Sequence, residues 1–439
     1  MVSGGGRDRR AGDHGHDHPL SGKKIFVPPM AYGSARAFVA GFRALGVDAS
    51  LTAPSDARTL ELGARFTSGD ECYPAKVTIG DFLKVLERPD ADPSRTVFFM
   101  PTADGPCRFG QYAPYLRQLL DANGFAAVDV LSPTSRNAYG GLGSLTRPFV
   151  RTAWRMLVAA DILQKLLLQH RPYEQRAGAT DAIYEECLDD VCTAVEHGGV
   201  ALAPQMRALR EALGRCRRRF AGLDTRPDPG RPLIGVVGEI FCRLNAFSNE
   251  DAVRRLEQAG AEVWLSGITE WIWYTVAEQY RKLRLRGRLL STAAASTWVR
   301  DRVQHRDEEH LLGPFHDDFR GYEEPEVDEV IEAARPYLPA DGALGEMVLS
   351  IGRAIRLAAR GVDGIIDISP FTCMNGIVCE AIYPRVSRDL GGLPIRTLYF
   401  DGTPRDLEGD LGVYLDLARS YQQRKTTPRP TPAPLGRAQ

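Results

Sequence analysis

The sequence predicts an α/β protein in which two Rossmann-like parallel-sheet domains face each other, with a helical insert in the chain between them. Three observations support this class. Short apolar runs rich in β-branched and aromatic residues alternate with amphipathic runs of helical period, which is typical of βαβ units. This alternation occurs twice, before residue 146 and after residue 231. Residues 147–222, between the two sets, have a helical pattern and little strand signal.

The composition is that of a globular protein with a large core. Of 439 residues, 44% are apolar and 25% are charged, and the length predicts two or three domains. A formal net charge of −1 gives no general attraction to nucleic acid or to an anionic membrane, and no run approaches the eighteen apolar residues of a membrane span. The N-terminus lacks the apolar core of a secretory signal, so a cytoplasmic location is expected. Eight cysteines in such a chain indicate metal or redox chemistry rather than a disulfide framework.

The first α/β domain is predicted at residues 23–145, after an N-terminal tail at 1–22 whose composition predicts disorder. Histidines 14, 16 and 18 of this tail could bind a divalent metal weakly, although a solvated tail is the favoured interpretation. Helical patterns begin near residues 34, 74 and 112. The predicted strands are 24–27, 48–51, 96–100 and 126–131.

A helical region is predicted at 146–226, followed by a Pro-rich linker that can continue neither a helix nor a central strand. The second α/β domain is predicted at 232–405, with a helical insertion at about 270–360. The Pro-rich, basic residues 423–439 are predicted to form a disordered tail. The strands of the second domain are predicted at 233–237, 262–265, 364–368 and 395–400.

Three cysteines occur where the chain turns into a helix. Cys107 lies in the run Asp-Gly-Pro-Cys-Arg-Phe-Gly, between a predicted strand and the helix that begins at Tyr112. Cys72 directly precedes a helix with proline in its first turn, and Cys373 follows the third predicted strand of the second domain. Ligands of open α/β sheets bind at the carboxyl edge, and the free N–H groups of a helix start favour a thiolate. We therefore expect these three cysteines to meet in a cleft between the two sheets.

Three convergent thiolates could hold an iron–sulfur cluster, because cluster irons prefer thiolate ligands. On spacing alone, three unrelated buried thiols explain the pattern equally well, and a structural zinc site is a third alternative. Cys379, six residues beyond Cys373, is a candidate fourth metal ligand. Cys242 is interpreted as a buried thiol that could also touch a cofactor. The cysteines of the helical region are interpreted as packing residues: Cys187, Cys192 and Cys216.

The sequence around the three cysteines resembles the 2-hydroxyacyl-CoA dehydratase D-component superfamily. It is most similar to the activase-associated branch, which includes double-cubane cluster proteins. The similarity extends over about residues 23–405, and its most specific part is the run Gly-Pro-Cys-Arg-Phe-Gly-Gln-Tyr. The segments that carry it are 71–76 (Glu-Cys-Tyr-Pro-Ala-Lys), 104–112 (Asp-Gly-Pro-Cys-Arg-Phe-Gly-Gln-Tyr) and 369–373 (Ser-Pro-Phe-Thr-Cys).

The resemblance implies flavodoxin-like domains and a 4Fe–4S cluster, single or double-cubane, bound by Cys72, Cys107 and Cys373. It also implies an ATP-dependent activase that carries its own iron–sulfur cluster and delivers low-potential electrons one at a time. In such dehydratases the electron converts an acyl-CoA thioester into a ketyl radical, which allows a 2-hydroxyl group to leave. The expected role is thus a component of an ATP-dependent reductase or of a (R)-2-hydroxyacyl-CoA dehydratase. The resemblance leaves open whether the chain is a monomer or a dimer.

Two features limit the expected activity. The chain contains no Gly-x-x-x-x-Gly-Lys-Ser/Thr phosphate loop, so ATP hydrolysis is expected on a separate protein. No pattern identifies the catalytic residues or requires a CoA substrate, so electron transfer is better supported than dehydration. A protein of another class is the alternative: an α/β ligand-binding or interaction module that is cluster-free or binds zinc.

Overall fold

The computed structural model describes residues 19–103, 105–134, 142–339 and 345–430 of the chain. It contains two four-stranded sheets, and every strand pair within them is parallel. The predicted α/β class with two parallel-sheet units is therefore confirmed. The domain boundaries given above stay predictions, and the His-rich stretch 14–18 lies outside the described residues.

The eight strands follow one another in the order that the sequence pattern predicts, whereas the helices α2, α8 and α15 were not predicted. The strands are β1 (Lys24–Val27), β2 (Asp48–Leu51), β3 (Thr96–Phe99), β4 (Asp129–Leu131), β5 (Leu233–Gly238), β6 (Glu262–Leu265), β7 (Gly364–Pro370) and β8 (Ile395–Phe400). The helices of the first half are α1 (Tyr32–Arg43), α2 (Ala57–Phe66), α3 (Tyr73–Leu86), α4 (Tyr112–Ala122), α5 (Thr146–His170), α6 (Ala179–Gly198) and α7 (Leu202–Ala221). Those of the second half are α8 (Ile240–Leu244), α9 (Ala252–Gln258), α10 (Thr269–Leu285), α11 (Thr292–Leu312), α12 (Val327–Ala334), α13 (Glu346–Ala359), α14 (Met374–Asp389) and α15 (Leu407–Arg424).

Both sheets have the same topology. The first has the strand order β2-β1-β3-β4, and the second has the order β6-β5-β7-β8. In each sheet, the chain leaves the two central strands toward opposite edges of the sheet. A crevice therefore opens between the carboxyl ends of these two strands. All residues of β3, β5 and β7 are buried, as expected for central strands covered by helices on both faces.

The helical unit is built on α5, whose apolar residues pack against α6 and α7 in one continuous core. Helix α11 belongs to the predicted insertion of the second domain, but it packs on this unit. The Trp154 indole donates to the backbone carbonyl oxygen of Gln304 over 3.1 Å. The Asp307 carboxylate of α11 accepts hydrogen bonds from Arg151 and Arg155 of α5. The insertion thereby ties the helical unit to the second domain.

The C-terminal helix α15 covers the second sheet, with Leu411 and Leu415 buried among the residues of its core. The predicted tail at 423–439 begins inside this helix. Beyond it, the Lys425 ammonium group lies 2.7 Å from the buried Asp363 carboxylate. Residues 431–439 lie outside the described part. Among the described helices, none has the length and apolar character required to cross a membrane.

Candidate functional site

The three predicted site cysteines have the same local geometry. Cys72 and Cys373 are the residues immediately before α3 and α14, and Cys107 immediately precedes a short 3-10 turn that leads into α4. Their backbones are extended, with φ, ψ of −68°, 156° at Cys72, −67°, 137° at Cys107 and −65°, 123° at Cys373. Each thiol therefore stands at a helix start, beside N–H groups that have no partner within the helix.

Side-chain contacts bring the three cysteine segments together. The Cys72 thiol hydrogen-bonds to the Tyr112 hydroxyl at the start of α4. The Arg108 guanidinium, next to Cys107, donates to the carbonyl oxygen of Asp70 over 2.8 Å and to that of Thr372 over 2.9 Å. One arginine thus joins the approaches to Cys72 and Cys373 across the two sheets. These contacts bring the three cysteine-bearing segments close to one another. Cys107 and Cys373 follow strands as predicted, whereas Cys72 follows α2 and not a strand. The role of the three cysteines as ligands stays a prediction.

Thr372 shows how the second domain meets this arginine. Its φ is 62°, in the left-handed region that residues other than glycine and asparagine rarely adopt. This turn directs the Thr372 carbonyl oxygen toward Arg108 immediately before Cys373. Strained backbone of this kind is concentrated at functional sites, because the surrounding structure must maintain it.

Desolvation by the protein favours the thiol form of the three cysteines and opposes the preference of helix starts for thiolates. Burial raises the pKa of Cys72 and of Cys373. Cys107 is solvent-exposed, yet desolvation by the surrounding protein raises the pKa of its thiol to about 11. Backbone N–H groups oppose the shift at all three positions, but desolvation and nearby carboxylates outweigh them. A bound metal would displace these protons, because metal ligation requires thiolates.

Two carboxylic acids that the sequence analysis did not identify lie beside the thiols. Glu239 follows β5, where its backbone N–H donates to the Ile368 carbonyl oxygen of β7 over 2.9 Å. Glu346 is the first residue of α13 and is 5% exposed, and its Oε1 accepts from the backbone N–H of Ile240 over 2.6 Å. Both occupy the crevice between the central strands of the second sheet. The only sequence signal for Glu239 was its place after a predicted strand.

Burial raises the pKa of both acids. The repulsion between Glu239 and Glu346 adds to this effect at Glu346, whose pKa lies well above its ordinary value. Two backbone N–H groups, of Phe241 and Cys242, donate to the Glu239 carboxylate and offset part of the shift there. Burial and mutual repulsion therefore favour a protonated carboxyl group at Glu346, close to Cys107 and Cys373.

Gly238 makes the turn into Glu239 possible. Its φ is 117°, and a Cβ at this position would lie 2.2 Å from the Ile368 carbonyl oxygen. Only glycine allows β5 and β7 to approach this closely at their carboxyl ends. The same approach sets Glu239 at the mouth of the crevice.

The remaining cysteines of the second domain are buried. The Cys379 thiol lies 3.7 Å from the Met347 carbonyl oxygen, within the apolar core between α13 and α14. Cys242 is buried on the other side of the sheet, with its sulfur 4.0 Å from the Ser248 carbonyl oxygen. Both thiols interact electrostatically with Cys373, and Cys242 also interacts with Cys72. The role of Cys379 as a fourth ligand stays a prediction.

The cysteines of the helical unit lie in a different environment. Cys187 and Cys216 are fully buried in the α5–α6–α7 core, and the Cys216 thiol lies 3.8 Å from the Cys187 carbonyl oxygen. Cys192 is partly buried against the same core. Their surroundings are those of packing residues, as the sequence predicts.

The donor set of the cleft fits an iron–sulfur cluster in its chemistry. It offers three thiols at helix starts, where the nearby backbone N–H groups of Ala75, Phe109 and Gly376 favour the thiolate form, although none of the three thiols accepts a capping hydrogen bond. Thiolate sulfur with such N–H donors is the environment that cluster irons occupy in proteins. The described residues contain no group of three His, Cys, Asp or Glu side chains arranged around one metal ion. A cubane cluster is larger than an ion, so its thiolate ligands stand further apart than those of zinc.

Comparison of the chain with models of known protein families finds no match, and comparison with curated proteins finds none either.

Proposed function

We propose that this protein is an iron–sulfur redox protein whose 4Fe–4S cluster is bound by Cys72, Cys107 and Cys373. The observation that carries the proposal is the meeting of three cysteine-bearing helix starts from two sheets, joined by Arg108. A cluster bound there would supply one-electron chemistry at low potential. With three protein thiolates, one iron of a cubane would have no cysteine ligand and could bind water, substrate oxygen, sulfide or a second cluster.

The chain's own groups prepare the cleft for such a cluster. Arg108 places a fixed positive charge beside the thiolates, and the N-termini of α3 and α14, which follow Cys72 and Cys373, favour negative charge through their helix dipoles. The Tyr112 hydroxyl donates a hydrogen bond to the Cys72 sulfur once that sulfur is ionised. Electrons added to a site surrounded by donors and positive charge are stabilised, so these groups raise the potential of the site relative to an apolar pocket.

The carboxyl pair Glu239 and Glu346 can supply a proton beside the proposed cluster. The pKa of Glu346 is raised well above its ordinary value by burial and by the repulsion of Glu239, which favours its protonated form. A general acid beside a one-electron donor can protonate a substrate oxygen as charge develops on it. In this proposal the protein reduces or dehydrates a small substrate, such as an acyl-CoA, with electrons from a separate ATP-hydrolysing activase. The motif resemblance supports the substrate class and the partner.

The test of the cluster is metal analysis of anaerobically purified protein with defined cysteine variants. We expect brown protein with about four irons for each cubane, as 4Fe–4S chemistry requires. Cys72→Ser, Cys107→Ser and Cys373→Ser each remove a proposed ligand, so each should lose most of the iron and the visible absorption.

Cys187→Ser, Cys192→Ser and Cys216→Ser are the matched controls, because these thiols lie in the helical core away from the cleft. They should keep the iron content of the natural chain, with a modest loss of stability from burying a hydroxyl group. Colourless protein with stoichiometric zinc would refute the cluster. Loss of iron in the control variants would show that the site has been placed wrongly.

A further inference from the structure

A groove of about 760 Å³ lies in the helical unit, between α7 and α11, with α5 at its floor. Five arginines and a histidine line it, against two carboxylates. The groove is formed by helices that carry none of the proposed cluster ligands. An inference about its ligand is therefore independent of the proposed function. The lining arginines are Arg151, Arg155, Arg207, Arg210 and Arg306, with His310 beside them.

The floor of the groove is itself electropositive. The Asp307 carboxylate accepts from Arg151 over 2.7 Å and from Arg155 over 2.8 Å, so one negative charge is shared by two guanidinium groups. Arg155 is 2% exposed and also donates to the Leu202 carbonyl oxygen and the Gln205 amide oxygen, over 2.8 and 2.9 Å. These bonds hold a buried guanidinium in one orientation and leave an excess positive charge below the groove.

Three further arginines stand on the two walls. Arg207 and Arg210 are one turn apart on α7, and Arg306 faces them from α11. The guanidinium group of each of these three arginines makes no hydrogen bond and no ion pair with the described part of the chain. On the same helix α7, by contrast, Arg217 and Arg219 are paired with carboxylates. The groove thus concentrates guanidinium groups whose donors are free.

We propose that this groove binds a phosphorylated organic molecule of nucleotide size. Guanidinium groups bind phosphate oxygens through paired N–H donors, and several of them around one cavity match a ligand with more than one phosphate. The volume lies within the range of small-molecule sites and exceeds the need of a single phosphate ion. Leu202, Met206 and Pro314 provide an apolar wall against which a ring system can pack.

The experiment is calorimetric titration of the full-length protein with three magnesium-free probes: ADP, pyrophosphate and adenosine. We expect ADP and pyrophosphate to bind with one-to-one stoichiometry, ADP more tightly, and adenosine not to bind measurably. ADP affinity should fall as salt is raised from about 0.05 M to about 0.5 M, because added ions screen exposed charges. Pyrophosphate binding equal to that of ADP would place the affinity in the phosphates alone and would refute the nucleotide-sized ligand.

Arg210→Gln and Arg306→Gln should each weaken ADP binding about ten-fold, since each removes a charged hydrogen-bond donor to the phosphate oxygens. Arg320→Gln is the matched control: it removes an exposed arginine that is paired with Asp317 over 2.6 Å outside the groove. ADP binding should be unchanged in this control. The proposal is overturned if the natural chain binds neither ADP nor pyrophosphate, or if the groove variants bind ADP as the control does. Iron content is expected to be unchanged in all three variants, so this result is independent of the cluster.

Discussion

At the scale of single residues, burial determines which ionisable side chains of the cleft carry a charge. Glu346, 5% exposed, keeps one strong backbone donor, the Ile240 N–H. No guanidinium group forms an ion pair with its carboxylate in the described part of the chain, and the repulsion by Glu239 exceeds the attraction of Arg243. Burial and this repulsion together favour the protonated carboxyl group. The folded protein therefore keeps the Glu346 proton at pH values at which the unfolded chain has released it.

The stored proton leads to a prediction on stability against pH. The folded pKa of Glu346 is raised above its ordinary value of 4.5, so the folded protein binds more protons than the unfolded chain above that pH. The contribution of protonated Glu346 to the free energy of unfolding is fully present below about pH 4.5. It is lost as pH rises, by up to roughly 1.4 kcal/mol per pH unit. Glu346→Gln removes this proton, and its amide oxygen can still accept from Ile240. We expect urea unfolding between about pH 5 and about pH 7 to show a weaker loss of stability in Glu346→Gln than in the natural chain.

Glu346→Ala separates the proton from the hydrogen bond. This variant also removes the titrating group, but it leaves the Ile240 N–H without its acceptor, at a cost of about 1–3 kcal/mol that does not vary with pH. Identical pH slopes in the natural chain and in Glu346→Gln would show that Glu346 is ionised when folded, and the proton-storage account would fail.

At the scale of elements, the position of Cys72 depends on the contact between α2 and α3. Gly63 of α2 and Gly80 of α3 let the two backbones approach closely: a Cβ on Gly80 would lie 2.0 Å from the Thr59 carbonyl oxygen. Thr59 is itself held by Asp56, because the two residues form a reciprocal capping box at the start of α2. The sequence analysis did not predict α2, although this capping pair was its visible signal. The contact fixes α3, and with it the helix start that carries Cys72.

The close contact predicts opposite effects of the same substitution at two helical glycines. Gly80→Ala places a methyl group against backbone, which cannot rotate away, so we expect a loss of about 3 kcal/mol, at the upper end for overpacking. Gly412→Ala, on α15, meets nothing within 4 Å and should stabilise the protein by roughly 0.5–1 kcal/mol, since alanine restricts the unfolded chain.

Chemical denaturation with matched m-values measures both effects. Iron content should also fall in Gly80→Ala, since a displaced α3 moves Cys72, and should be unchanged in Gly412→Ala. Equal stability of the two variants would mean that α2 and α3 do not pack as closely as described.

At the scale of the whole molecule, two sheets of the same topology contribute to one cleft. Cys72 and Cys107 come from the first sheet, and Cys373, Glu239 and Glu346 come from the second. Neither half holds the proposed donor set alone. Arg108 is the side chain that joins them at the cleft, through the Thr372 carbonyl oxygen. Loading of the cluster is therefore expected to stabilise the pair of domains against separation.

The whole-molecule proposal predicts dependence on a second protein. The chain contains no phosphate loop of the Gly-x-x-x-x-Gly-Lys-Ser/Thr type, and a cluster environment tunes a potential without supplying energy for each electron. Reduction of an acyl-CoA or a similar substrate should thus require ATP and an activase with its own cluster. Assays with the partner present should show that Cys107→Ser abolishes reduction while the partner's ATPase activity is retained.

A simple outcome would contradict this dependence. If the protein alone, with a mild reductant and without ATP, turns over substrate rapidly, electron delivery by an activase is not needed. The cluster would then act as a Lewis acid in an ordinary lyase, through its open iron.

The sequence determined the order of the strands and the position of Cys107 and Cys373 after them. The predicted bounds of β1, β2, β6 and β8 agree with the structure, because each is a short run with strand propensity that turn residues or a helix end delimit. Parallel strands end at the same edge of a sheet, so the position of Cys107 and Cys373 near the carboxyl edges could be expected from the chain alone. Cys72 could not be placed in this way, because it follows α2, which the sequence pattern did not predict, and not a strand.

Only the tertiary structure decided which groups surround the thiols and what charge they carry. Glu239 and Glu346 are 107 residues apart in sequence, and their repulsion exists only because α13 begins beside the end of β5. The docking of α11 on α5, which creates the arginine groove, likewise pairs Asp307 with residues more than 150 positions earlier. Local patterns encode period and turn chemistry, whereas desolvation and charge pairing depend on distances that long-range packing sets. For the same reason the helix starts alone suggested thiolates, whereas desolvation in the folded protein raises the pKa values of Cys107 and Cys373.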